Sequence, residues 1–200
     1  MKGKVCVLYS EGVLPKTFFE RDPAIVARSL LGKKLVRTLS GNLLRGIVVE
    51  TEAYFGLEDP ASRAFHGVQK SNRLMWDEPG RVFIYNVHKY WMLNIVAHER
   101  NQIGAVLIRA LEPTDGLGIM MKNRPVTKVR NLTNGPGRLT SALKIDKRLN
   151  GVYVDKHLNE IAILNNEIGF EIGCSPRIGV STDLPQNLRF FILGNKFVSR

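Results

Sequence analysis

Cysteine is nearly absent from this 200-residue chain: there are two, Cys6 and Cys174, and neither belongs to a CxxC pair. That argues against a disulfide scaffold or a structural zinc site and fits a reducing compartment, although a single bridge between the two is compatible with the count. The four histidines, His66, His88, His98 and His157, show no metal-ligand spacing. Glycine-rich phosphate motifs, a GxSxG elbow and a Cys–His nucleophile signature are missing too, which removes several hydrolase and nucleotide-binding classes. No apolar run approaches the ~20 residues of a membrane span. The N-terminus (Met1-Lys2-Gly3-Lys4, then Val5 to Tyr9) begins like a signal peptide, but its apolar stretch is too short and no small-residue cleavage site follows. Acidic residues are also scarce, 18 against 29 lysines and arginines, for a formal charge of +11. Such an excess points to a polyanionic partner, nucleic acid before an anionic membrane surface. The expectation is a soluble, basic protein of the cytoplasm or wherever the cell keeps its DNA.

The chain is long enough for one sizeable core, and no linker or fixed-period repeat divides it, so a single domain over 1–200 is expected. Asp22-Pro23 before Ile25, Val26, Leu30 and Leu31, with Gly32 beyond, predicts a capped helix. Residues 33–37 and 43–52 read as two strands joined through Leu39-Ser40-Gly41-Asn42, a hairpin. Residues 55–80 form a long irregular segment carrying Phe55, Phe65 and Trp76, of the kind that is usually functional or disordered. Further strands are expected at 82–85, 91–96 and 105–111, and short helices at 116–123 and from about Gly135-Pro136 onward. Short strand-like pieces follow at 152–154, 160–163, 168–172, 177–181 and 188–193. The sum is an α+β fold: a curved antiparallel sheet or partly open barrel with helices packed around it.

Within this frame Val48-Val49-Glu50-Thr51-Glu52-Ala53-Tyr54 stands out. Strand alternation gives Ile47, Val49, Thr51 and Ala53 one face, the better core face, and aims Val48, Glu50, Glu52 and Tyr54 at solvent or a cleft. Carboxylates at i and i+2 lie roughly 6–7 Å apart. Their repulsion is about 2–3 kcal/mol at an effective dielectric of about 20, unless a cation or water relieves it. Solvated strand-end acids are the plain reading of these residues alone. Arg109 is a second oddity, a guanidinium inside the apolar run Val106 to Leu111 that needs a carboxylate or phosphate partner. Glu50, Glu52 and Glu112 are the internal candidates. Tyr54 and Tyr85 each end a strand before an irregular segment, where a ring can pack in the core or stack on a planar ligand. Between 122 and 148, Lys122, Arg124, Lys128, Arg130, Arg138, Lys144, Lys147 and Arg148 face only Asp146, a block suited to phosphates. Gly137 and Arg138 fall in the first turn of the helix predicted there.

Together these blocks resemble the alkyladenine (3-methyladenine) DNA glycosylase family. The resemblance is carried by Val48 to Tyr54 with Gly56 and Glu58-Asp59-Pro60-Ala61-Ser62, and by Pro79-Gly80-Arg81-Val82-Phe83-Ile84-Tyr85. Trp91-Met92-Leu93-Asn94, Leu107 to Pro113, Asn134-Gly135-Pro136-Gly137-Arg138-Leu139, Pro176 to Val180 and Leu188-Arg189-Phe190 extend it over roughly 15–200. It implies a monofunctional base-excision repair enzyme that flips damaged purines out of duplex DNA and hydrolyses the N-glycosidic bond without metal or organic cofactor. A monomer acting on damaged double-stranded DNA is expected. By the same resemblance Glu52 is the general base with Arg109 beside it, Tyr54 and Tyr85 are stacking walls, and Asn94 lines the base pocket. Arg63 stands where the family often has histidine, with His66 nearby. The wedge that fills the gap in the duplex is assigned to His88 first and Val87 second, and Gly137, Arg138 and Lys144 to the DNA backbone. A non-catalytic nucleic-acid-binding β-domain would share the basic block and the aromatics, and a nucleoside hydrolase would not need the block.

Overall fold

The computed structural model describes residues 12–156 and 160–199. Val5 to Tyr9, Cys6 and His157 lie outside them.

The longest strand organises the sheet. After a short 3₁₀ turn, Asp22 caps α1 (Pro23–Leu30), its Oδ1 accepting from the Ala24 and Ile25 amides, and Pro23 takes the first helical position. Strands β1 (Lys34–Leu39) and β2 (Asn42–Tyr54) form the expected hairpin. Ser40 and Gly41 both have positive φ, 49° and 79°, as a two-residue turn matched to strand twist requires. β3 (Val82–Val87), β4 (Tyr90–Val96) and β5 (Ala105–Asp115) form a meander that returns along β2. The remaining elements are α2 (Leu117–Asn123), α3 (Pro136–Ala142), β6 (Ile161–Leu164), β7 (Ile172–Ser175) and β8 (Arg189–Ile192). Strand order is β3-β4-β5-β2-β1-β6, and β8 pairs with both β7 and β2. Every ladder is antiparallel. This is the expected α+β architecture, a curled, partly open barrel.

β2 holds the centre because its 13 residues meet three partners. Its first half pairs with β1, Glu50 to Glu52 pair with β8, and β5 runs along the other edge. The Thr51 hydroxyl donates to the Ala27 carbonyl (2.9 Å), seating α1 on one face. One apolar cluster joins α1, β1 to β6, α3 and β8.

Two sequence expectations are corrected here. Of the five strand-like pieces after Gly151, 177–181 is a loop, 168–172 gives way to β7 at Ile172–Ser175, and 152–154 contributes only the bridge of Tyr153 to Arg81. More important, of the two settings open to the Glu50/Glu52 face, solvent or a cleft, solvent is excluded: both residues are fully buried. The segment from Pro176 to Ser199 folds over that face, an arrangement invisible to a local alternation argument.

Candidate active site

Two β-strand irregularities create the centre. The β2–β5 register shifts on either side of Glu50, and Arg109 falls in the gap between the paired residues Ala110 and Ile108. Bulges of this kind re-aim side chains. Here the Arg109 guanidinium reaches both carboxylates, Nε to Glu50 Oε1 at 2.9 Å and Nη1 to Glu52 Oε2 at 3.0 Å. Glu112, the third candidate partner, instead accepts from the Asn195 amide. Burial alone would lower the Arg109 pKa, but Glu52 and Glu50 reverse the sign and hold it above the ordinary arginine value. The repulsion expected between the two acids is thus met by a shared cation.

The two glutamates then part ways. Glu50 is enclosed: Oε1 also accepts from Arg189 Nε (2.7 Å) and the Ser199 hydroxyl (2.8 Å), and Oε2 from the Ser199 amide (2.7 Å). Glu52 is held differently. Its Oε2 accepts from Arg109 and from the Tyr54 hydroxyl (2.9 Å), while Oε1 accepts from the Ile178 amide (2.7 Å). A carboxylate oxygen accepts about two hydrogen bonds. Among the described residues Oε1 receives one, so one acceptor position on it remains.

Aromatic rings stand beside this carboxylate. Burial, then the charge of Glu52, pushes the Tyr54 phenol far above its ordinary pKa. Tyr85 is raised mainly by burial, with Arg63 pulling it partly back, and it lies within electrostatic reach of Glu52 and Arg109. Arg177 covers the Tyr54 ring with its guanidinium carbon 4.5 Å from the centroid, and Arg63 covers Tyr85 at 4.4 Å. His66 is placed elsewhere, edge-on to Phe65 with ring centroids 4.9 Å apart. Asn94 is buried on β4, its Nδ2 donating to the Phe83 and Met92 carbonyls, each 3.2 Å away.

The other sequence candidates lie on the β3–β4 hairpin and in and just beyond α3. Val87 ends β3 half-buried, and His88 occupies the exposed tip of the β3–β4 hairpin with φ 52°. Gly137 is packed so closely on Tyr90 that a Cβ would stand 2.7 Å from the Tyr90 Cβ. A polar cavity of about 410 Å³ opens beside Arg109, with Arg130, Arg138, Lys196 and Ser199 also in its wall. Lys144 stands exposed beyond α3 with φ 50° and is not among its lining residues. The basic block is only partly available: Lys147 donates to the Ile84 carbonyl and Arg148 pairs with Asp146.

The whole chain from residue 17 to 196 matches the family model described as methylpurine-DNA glycosylase. The chain belongs to the methylpurine-DNA glycosylase family. A protein of Aeropyrum pernix named as a 3-methyladenine DNA glycosylase is 44% identical over 191 residues, covering 94% of this chain and 93% of its own length. Relatives of the same name from Latilactobacillus sakei and Bacillus subtilis are 41% and 38% identical, covering 92% and 94% of this chain and 90% and 96% of theirs. Membership makes this glycosylase a base-excision repair enzyme that acts on damaged DNA.

Sequence reasoning assigned no role to five residues that build the glycosylase's centre. Arg189 and Ser199 enclose Glu50, and the Ile178 amide holds Glu52. Asp59 and Arg177 form a fully buried bidentate pair at 2.7 Å for each contact, and Asp59 also accepts from the Phe55 and Ala61 amides. Three of the five lie in the blocks Pro176 to Val180 and Leu188 to Phe190. The available signal was arginine beside apolar residues, the same oddity that singled out Arg109.

Proposed function

We propose that Glu52 is the general base of this glycosylase. A damaged purine, flipped from the duplex, stacks against Tyr54 and Tyr85. Water bound at the open acceptor position of Glu52 Oε1 attacks C1′ as the N-glycosidic bond breaks. The purine leaves with the bonding pair, Glu52 takes the proton of the water, and an abasic sugar remains. The transition state carries oxocarbenium character, which a buried carboxylate stabilises. Arg109 and the Ile178 amide hold that carboxylate in place, and Tyr54 fixes its second oxygen. The observation that supports the reading is the asymmetry of the pair: Glu50 receives four hydrogen bonds, from two arginines and both groups of Ser199, and Glu52 receives three.

Asn94 lines the pocket in this reading, and Arg63 rather than His66 borders the flipped base, because only Arg63 reaches Tyr85. His88, at the hairpin tip, is the wedge, ahead of half-buried Val87. Arg138 and the cavity beside Arg109 take backbone phosphates, with Gly137 letting α3 close on the hairpin and Lys144 adding charge further out. Chain cleavage, metal and organic cofactor have no part in the proposed steps, and one copy of the chain suffices for them.

Glu52→Gln tests the assignment. The variant should bind lesion-containing duplex as the parent does and release base at least about 10²-fold more slowly, the lower bound of general-base contributions. Comparable excision by the variant would remove Glu52 from the mechanism.

A further inference from the structure

We infer that Arg63 sets which damaged purines the site accepts, discriminating against cationic bases in favour of neutral ones. The inference rests on the reading of Tyr85 as a stacking wall given above. Alkylation at a ring nitrogen makes a purine cationic, and the face of a tyrosine ring attracts such a base through its quadrupole. At Tyr85 that attraction is already engaged by the Arg63 guanidinium, 4.4 Å from the ring centre. A cationic base arriving on the same face meets a like charge. One arriving on the opposite face meets a ring whose electron density is drawn towards the guanidinium. A neutral purine incurs neither cost, and the planar guanidinium offers it hydrogen-bond donors.

The position of Arg63 is built into the loop. Its carbonyl accepts from Asn72 Nδ2 at 2.6 Å, and both neighbours, Ser62 and Ala64, are buried. The Ser62 hydroxyl donates to the Phe55 carbonyl at 2.5 Å, tying the loop back to the end of β2. The comparison with Tyr54 isolates the charge. Arg177 covers that ring at a similar distance, but Asp59 and Asp183 answer its charge. Arg63 forms no salt bridge among the described residues, so no carboxylate is paired with its charge at the ring. Tyr85 itself is kept neutral, since burial raises its pKa by more than Arg63 lowers it.

Single-turnover release of 7-methylguanine, which is cationic, and of hypoxanthine, which is neutral, from otherwise identical duplexes tests this in wild type, Arg63→Gln and Arg63→Lys. Arg63 is exposed, so both variants should melt as wild type does. Removing the charge in Arg63→Gln should raise the 7-methylguanine to hypoxanthine rate ratio by about threefold to thirtyfold, the range of a cation–π contact. Arg63→Lys, which keeps a cation over the ring, should stay near the wild-type ratio. A ratio in Arg63→Gln within about twofold of wild type, below the weakest cation–π contact, overturns the inference. So does an Arg63→Lys variant that follows Arg63→Gln. Release of neither base by the wild-type protein is a different failure: it strikes at the glycosylase chemistry and takes the preference with it.

Discussion

Glu50 and Glu52 differ by two positions and are both fully buried, yet their hydrogen-bond partners differ. Glu50 is satisfied by two arginines and both groups of Ser199, and Glu52 by one arginine, one phenol and one amide. The phenol has a consequence in alkali. Burial and Glu52 raise the pKa of Tyr54 far above its ordinary 10.0, and burial raises that of Tyr85 as well. Above about pH 10 the unfolded chain loses these protons while the folded one keeps them, so folding stability falls as pH rises. Below pH 10 neither group contributes a slope. Denaturant melts between pH 9 and 11 should show the decline, and Tyr54→Phe should make it shallower. An unchanged slope in that variant would remove Tyr54 from the alkaline linkage.

Among the elements, the Asp59–Arg177 pair controls the most structure. It fastens the loop after β2 to the segment that covers the glutamates, and it places Arg177 on Tyr54 and Ile178 on Glu52. Both side chains are fully buried, so removing Arg177 leaves Asp59 as a desolvated charge, whereas removing Asp59 leaves Arg177 with Asp183. Arg177→Ala should cost about 3–5 kcal/mol in urea unfolding, and Asp59→Ala less, because Asp183 still pairs with Arg177. The double variant should lose less than the sum, since the second change removes an unpaired charge. Additive losses would mean that the pair carries no coupling. The β3–β4 hairpin is the second organising element, because the contact of Gly137 with Tyr90 sets the hairpin against α3.

For the whole molecule, the charge of +11 is partly spent inside the fold. Arg109, Arg177 and Arg189 are consumed by buried or nearly buried carboxylates. Arg130, Arg138 and Lys196 line an open cavity, where the proposed reading puts backbone phosphates. Arg138→Ala should therefore weaken binding alike on damaged and undamaged duplex and reduce the slope of log K against log salt by about 1. A loss confined to damaged DNA would place Arg138 in base recognition instead.

Residue types and spacings carried the elements whose cause is local. Asp22-Pro23 started α1, Ser40-Gly41 turned the β1–β2 hairpin, and Pro136 opened α3, each through a cap or backbone preference that needs only near neighbours. The scarcity of acids pointed to a polyanion, and Glu50, Glu52 and Tyr54 on one strand face marked the centre. Tertiary structure alone decided what those residues meet. Glu50 finds Arg109, Arg189 and Ser199 at sequence separations of 59, 139 and 149. No local propensity spans such distances. The register slips at Arg109 and the covering segment around Ile178 turned an apparently solvent-facing strand into a buried charge network. Desolvation raises the cost of every unmatched group there, and each carboxylate is met by several donors, four for Glu50 and three for Glu52.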